Sequence, residues 1–150
     1  MLRVCCGSAR WIERMLAERP FGSSERALRL ARDLWFALEP SDWREAFGHH
    51  PRIGDLEALR KRFPASGSIS ETEQAGVTAA DAATLAALLE GNRAYEARFG
   101  YIFIVSAAGR SAAEMLGILR ARLDNEPGEE VRVAADEHAK ICERRLRAHV

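Results

Sequence analysis

The chain has 150 residues, with 22 Lys plus Arg balanced by 22 Asp plus Glu, so its formal net charge at pH 7 is zero. That length suits one domain, read here as residues 1–150, able to bury roughly 70% of the surface its unfolded form exposes. The charge balance leaves no basic footprint for a nucleic-acid partner. With no apolar run of about 18 residues or more, no membrane partner is expected either.

Ala, Leu, Glu and Arg, all good helix formers, dominate the sequence, and no stretch alternates as a strand would. Ser8 precedes a one-face spacing of Trp11, Ile12, Met15 and Leu16 that stops before Pro20. Ser23 or Ser24 caps a second helix with Ala27, Leu30, Leu34 and Leu38 on one face, flanked by Leu28, Ala31 and Trp35. Pro40 is read as its end, and Ser41 as the cap of a short helix with Trp43, Ala46 and Phe47.

After the His50-Pro51 break, Asp55 caps a fourth helix to about Phe63, closed by Pro64. Ser70-Glu71-Thr72-Glu73 has the capping-box form and opens a long helix to Phe99, with room for a bend near Thr78. Gly100 suits its C-terminus. Tyr101 to Val105 is β-branched and apolar and reads as a buried extended segment. A second capping box, Ser111 to Glu114, opens a helix with Met115, Leu116, Leu119 and Leu123. After a turn at 124–128, a last helix from about Glu129 to Arg147 turns Val133, Ile141 and Leu146 inward. The expectation is an all-α single domain of about seven or eight helices, with one short extended buried segment near 101–107.

The polar stretch His49-His50-Pro51-Arg52-Ile53-Gly54-Asp55 interrupts this helical pattern. Pro51 disfavours helical geometry at His50 and removes a backbone donor, so His50 sits at a forced break. Imidazole is also the side chain whose ordinary pKa suits proton transfer near neutral pH. A bland reading, a histidine at a helix end held by one hydrogen bond, stands beside that one. Ser70 and Glu73 are explained by capping alone, although a helix N-terminus with Gln74 beside it also suits an anionic or carbonyl-rich ligand. His49, His50, Asp55 and Glu73 lack the spacing of a metal site, so no metal is expected, and no glycine pattern supports a nucleotide. Cys5, Cys6 and Cys142 form no C-x-x-C motif and read as reduced thiols. Arg120, Arg122, Arg144, Arg145 and Arg147 read first as solvated helix faces, one of which could reach a ligand carboxylate. The first residues, Met1 to Cys6, lack the apolar stretch of a signal peptide, and Ala148-His149-Val150 is not a peroxisomal signal. A cytoplasmic protein is therefore expected.

In order, the chain shows Cys6-Gly7-Ser8 with Trp11, the His49 to Asp55 block, Ser70-x-x-Glu73-Gln74 and Asn92-x-x-Tyr95-x-x-x-Phe99-Gly100-Tyr101-x-Phe103-Ile104-Val105. Arg122-Leu123-x-Asn125 and Lys140-Ile141-x-x-x-Arg145-Leu146 follow. This ordered set resembles the 2-oxo-4-hydroxy-4-carboxy-5-ureidoimidazoline (OHCU) decarboxylases of urate degradation. The resemblance implies an all-helical homodimer without metal or organic cofactor, releasing CO2 from the ureidoimidazoline to give (S)-allantoin. It implies that His50 and Glu73 are catalytic. It further implies that Pro51, Ser70, Gln74 and the segment Phe103, Ile104, Val105, Ser106 and Ala107 contact substrate, and that Arg145 meets the carboxylate, with Arg122 the alternative. His49 stands where family members often carry a small residue. Two other readings stay open: a non-enzymatic helical binding or dimerisation module, and a related ureido-lyase or hydrolase of purine breakdown.

Overall fold

The computed structural model describes residues 1–51, 56–62 and 71–150, with the backbone alone at 56, 58, 62 and 71–80. Among the described residues there are eight helices and no strand: α1 (Leu2–Cys5), α2 (Ala9–Ala17), α3 (Ser24–Phe36), α4 (Pro40–Gly48), α5 (Leu56–Arg62), α6 (Glu71–Phe99), α7 (Ala112–Leu123) and α8 (Pro127–Arg147). The chain divides into two units, one of Met1–Pro51, Ile104–Ser106 and Glu126–Val150, the other of Arg52–Phe103 and Ala107–Asn125.

The serine caps form as the sequence predicts. Ser8 Oγ accepts from the Trp11 N–H at 3.3 Å and Ser23 Oγ from the Arg26 N–H at 3.2 Å. At α7, Ser111 Oγ accepts from the Glu114 N–H at 3.2 Å while Glu114 Oε2 accepts from the Ser111 N–H at 3.0 Å, a complete capping box. Both prolines read as turn or stop signals instead open helices: Pro40 and Pro127 are the first residues of α4 and α8. A first-turn N–H has no partner within the helix, so losing it costs nothing there and the fixed φ favours the helix. The cap of α4 is accordingly Glu39, whose N–H donates to Asp42 Oδ2 at 3.2 Å, and not Ser41. The short α1 was not expected; four residues carry too little periodicity to announce themselves.

In the first unit, α8 packs against α1, α3 and α4, and α2 against α1, α3 and α4. Of the expected face Ala27 and Leu38 are buried while Leu30 and Leu34 are half-buried, and the flanking Ala31 and Trp35 take the inner positions of α3. Small residues there, and Ala134, Ala135 and Ala139 on α8, leave room for the indoles. Each indole N–H finds a carbonyl at 2.9 Å: Trp11 donates to Ala31, Trp35 to Ala135 and Trp43 to Trp35. A buried N–H left without an acceptor would cost about 1–3 kcal/mol, so these bonds fix which way each ring lies. On α8, Ile141 and Leu146 are buried as expected, whereas Val133 is half-buried and Val131 and His138 take the inner positions.

In the second unit, α6 packs against α5 and α7. Gly91 makes this closeness possible, since a Cβ there would lie 2.5 Å from Leu119 Cδ2. Beyond Phe99, Gly100 takes φ +80°, the left-handed conformation that ends a helix at little cost to glycine. Residues 102–107 have no regular structure, and Ile104 and Val105 within them are buried, which matches the expected extended segment.

Candidate active site

In the first unit, α4 ends at His49, whose N–H donates to the Ala46 carbonyl at 3.2 Å; the His50 N–H donates to Phe47 at 3.2 Å. Pro51, exposed, then carries the chain out of the helix. Gly7 permits the approach of the N-terminal segment, because a Cβ at that position would sit 2.5 Å from the His49 ring. His49 is exposed and His50 half-buried, so only the second histidine turns inward.

His50 meets His138 of α8 edge to face, with ring centroids 5.0 Å apart at 82°. The fully buried His138 stacks on Trp35 at 4.4 Å and 19°, and Phe47 closes a further side at 5.8 Å. An aromatic wall thus holds the imidazole of His50. Burial, the nearby Arg145 charge and His49 together lower the His50 pKa to about 4. Burial, His50 and Arg145 lower that of His138 to about 3. Both rings are therefore neutral at pH 7, and His50 holds a lone pair able to take a proton.

Arg145 lies in the last turn of α8, where its Nη1 donates to the Val4 carbonyl at 3.2 Å. Among the described residues it pairs with no carboxylate, although its charge reaches His50, His138, Cys5 and Cys142. A second support lies about two turns up the helix. The buried Glu137 carboxylate accepts from the Ser106 N–H at 2.7 Å and pairs with Lys140 at 2.5 Å, tying residues 104–106 to α8.

The structure thus brings His50, Arg145 and the segment Ile104, Val105 and Ser106 into one unit. Phe103 and Ala107 belong to the other. Phe103 lies under the Arg122 guanidinium at 4.7 Å, and the Ala107 carbonyl accepts from the Arg110 N–H at 3.1 Å. Glu73 and Gln74 lie in the first turn of α6, their side chains outside the described residues. Ser70 and Asp55 also lie outside the described residues. Arg122, the alternative carboxylate ligand, is buried in the second unit with Nη2 3.3 Å from the Tyr95 hydroxyl.

Sequence reasoning missed His138, Glu137 and a thiol cluster. Cys6 Sγ, Cys142 Sγ and a ring nitrogen of His138 all lie within 4.8 Å of one another, a different set from the metal candidates weighed in the sequence. A side-chain hydrogen bond with Cys6, together with burial, pushes the Cys142 thiol up. The i, i+4 spacing of His138 and Cys142 was the signal available; nothing local pointed to Cys6 as their neighbour.

A helical unit with an inward, neutral histidine and an arginine that pairs with no described carboxylate is a site able to support proton transfer on an anionic substrate. The profile of the OHCU decarboxylase family matches residues 1–147, and the chain belongs to that family. The uric acid degradation bifunctional protein TTL of Arabidopsis thaliana is 42% identical over 147 residues, 96% of this chain and 44% of that protein. The 2-oxo-4-hydroxy-4-carboxy-5-ureidoimidazoline decarboxylase of Amia calva is 37% identical over 97 residues, 65% of this chain and 55% of that protein. The chain thus spans about half the length of these curated relatives. A crystal structure of OHCU decarboxylase in the presence of (S)-allantoin superimposes with TM-score 0.76 and 38% identity, covering 96% of this chain and 92% of that one. A crystal structure of (S)-allantoin synthase, 18% identical, shares the fold with TM-score 0.70 over 98% of this chain and 47% of that one.

Proposed function

We propose that residues 1–150 act as one OHCU decarboxylase domain, converting 2-oxo-4-hydroxy-4-carboxy-5-ureidoimidazoline to (S)-allantoin and CO2. The observation that carries the reading is the half-buried, neutral His50 beside the Arg145 charge, in a chain matched by the family over residues 1–147.

The substrate bears a hydroxyl and a carboxylate on one carbon, next to a ring C=N carbon. That C=N takes up the electron pair released with CO2, so the reaction calls for no external electron sink and no cofactor. The protein's tasks are to align the carboxylate with the π system, to manage the hydroxyl proton and to protonate one face of the neighbouring carbon. Arg145 holds the carboxylate; a planar guanidinium suits a bidentate grip. His50 exchanges the proton. Glu73 hydrogen-bonds the hydroxyl or ureido group, and Ser70 and Gln74 take polar edges of the ring. Pro51 shapes the wall. The backbone of Phe103, Ile104, Val105, Ser106 and Ala107 offers groups to the ring amides. Arg122, the alternative, has its guanidinium against Tyr95 and Phe103, which supports giving the carboxylate to Arg145.

The family resemblance supports a homodimer, which sedimentation of the purified chain tests; a cytoplasmic location rests on the sequence expectation alone. No helix among the described residues is long and apolar enough to cross a membrane. The activity is tested by adding the chain to freshly generated substrate and following CO2 release together with the circular dichroism of (S)-allantoin. Accelerated release with a single enantiomer is expected. Turnover of other ureido compounds without CO2 would replace this reading with that of a hydrolase.

A further inference from the structure

The aromatic wall behind His50 ends in a group that decarboxylation does not use. Cys142 sits one turn after His138 on α8, so both side chains leave the same helix face, with Sγ 3.3 Å from Nδ1. Cys6 comes from the residue that closes α1, and its thiol completes a triangle whose donor atoms lie within 4.8 Å. We propose that Cys6, His138 and Cys142 form a binding site for a thiophilic divalent cation, zinc being the best match.

Three features carry the assignment. Zinc takes thiolate and imidazole donors at about 2.3 and 2.0–2.1 Å, which places tetrahedral donors roughly 3.5–3.8 Å from one another. A triangle within 4.8 Å therefore needs rotamer adjustment of about 1 Å at most. The charge also closes: two thiolates and a neutral imidazole around Zn2+ sum to zero, so a buried site needs no further counter-ion. Binding releases two thiol protons, and the cation itself supplies the stabilisation that the buried thiols lack. Finally, there is a way in. Cys142 is only partly covered and lines a crevice shared with Trp11, Trp35, Ala139 and Glu143, so one of the three donor residues borders open space. The bound ion cross-links the N-terminal turn to α8, where the Cys142 thiol now donates to the Cys5 carbonyl at 2.9 Å.

The test uses reduced, metal-stripped protein without a histidine tag. Equilibrium dialysis against Zn2+ should retain one ion per chain, and anaerobic Co2+ titration should give the near-ultraviolet charge-transfer absorbance of a cobalt–thiolate bond. Cys142→Ala and Cys6→Ala should each weaken binding by at least about tenfold, while Cys5→Ala, whose thiol lies outside the triangle, should keep it. Far-ultraviolet circular dichroism checks that each variant folds; if Cys6→Ala does not, Cys142→Ala alone decides. Failure of the wild type to retain zinc, a cobalt complex without thiolate absorbance, or binding that survives Cys142→Ala would overturn the assignment.

Discussion

Each unit contains an arginine whose charge reaches aromatic side chains, and the two cations have different surroundings. In the second unit, Arg122 is 6% exposed, bonds the Tyr95 hydroxyl and lies 5.7 Å from the Tyr95 ring and 4.7 Å from Phe103. Two π faces and a phenol lie against its guanidinium. In the first unit, Arg145 is half-buried, donates to a carbonyl and pairs with no described carboxylate. Its charge falls on imidazoles, which it makes harder to protonate. The two arginines thus differ in what surrounds them, and the proposed function gives the anion to Arg145. Cation–π contacts contribute about 0.5–2 kcal/mol each depending on desolvation, enough to make Arg122 structural without any ligand.

This contrast can be broken experimentally. The largest effect is expected from His50→Ala, which should lower kcat/KM by about 10²- to 10⁴-fold, the usual contribution of general acid–base catalysis, with an unchanged far-ultraviolet spectrum. Arg145→Ala should follow, with about a hundredfold loss carried largely in KM, partly restored by Arg145→Lys; an unchanged KM would remove Arg145 from the carboxylate. Arg122→Met should do the reverse. It should lower stability by about 1–3 kcal/mol in urea unfolding while leaving kcat per folded molecule close to wild type. A catalytic defect in Arg122→Met at full stability would exchange the two roles. The smallest effect is Ser111→Ala, about 1 kcal/mol of stability lost from the α7 cap with no kinetic consequence.

What the sequence discloses divides along similar lines. Caps and turns are local, so Ser8, Ser23, Ser111 and Gly100 could be read directly. Pro40 and Pro127 misled because proline stops a helix behind it and starts one ahead of it with equal ease. The α3 face misled because leucine is the larger apolar residue, whereas the space left by Ala27 and Ala31 is what the indoles need. His50 announced itself through Pro51. His138 did not: it lies in a charged helix, and its burial depends on Trp35 and His50, about a hundred residues away in sequence. Long-range packing of this kind leaves no periodic trace. By resemblance Arg145 is the better match and Arg122 the alternative, a preference that their different surroundings support.

Under the proposed function, His50 takes part in the proton exchange that sets the configuration of the product. The direct measurement follows circular dichroism and total allantoin together, from freshly generated substrate, for wild type and His50→Ala. Wild type should give (S)-allantoin alone, and His50→Ala should give racemic allantoin at the spontaneous rate. A His50→Ala protein that still forms (S)-allantoin at the wild-type rate would contradict the account.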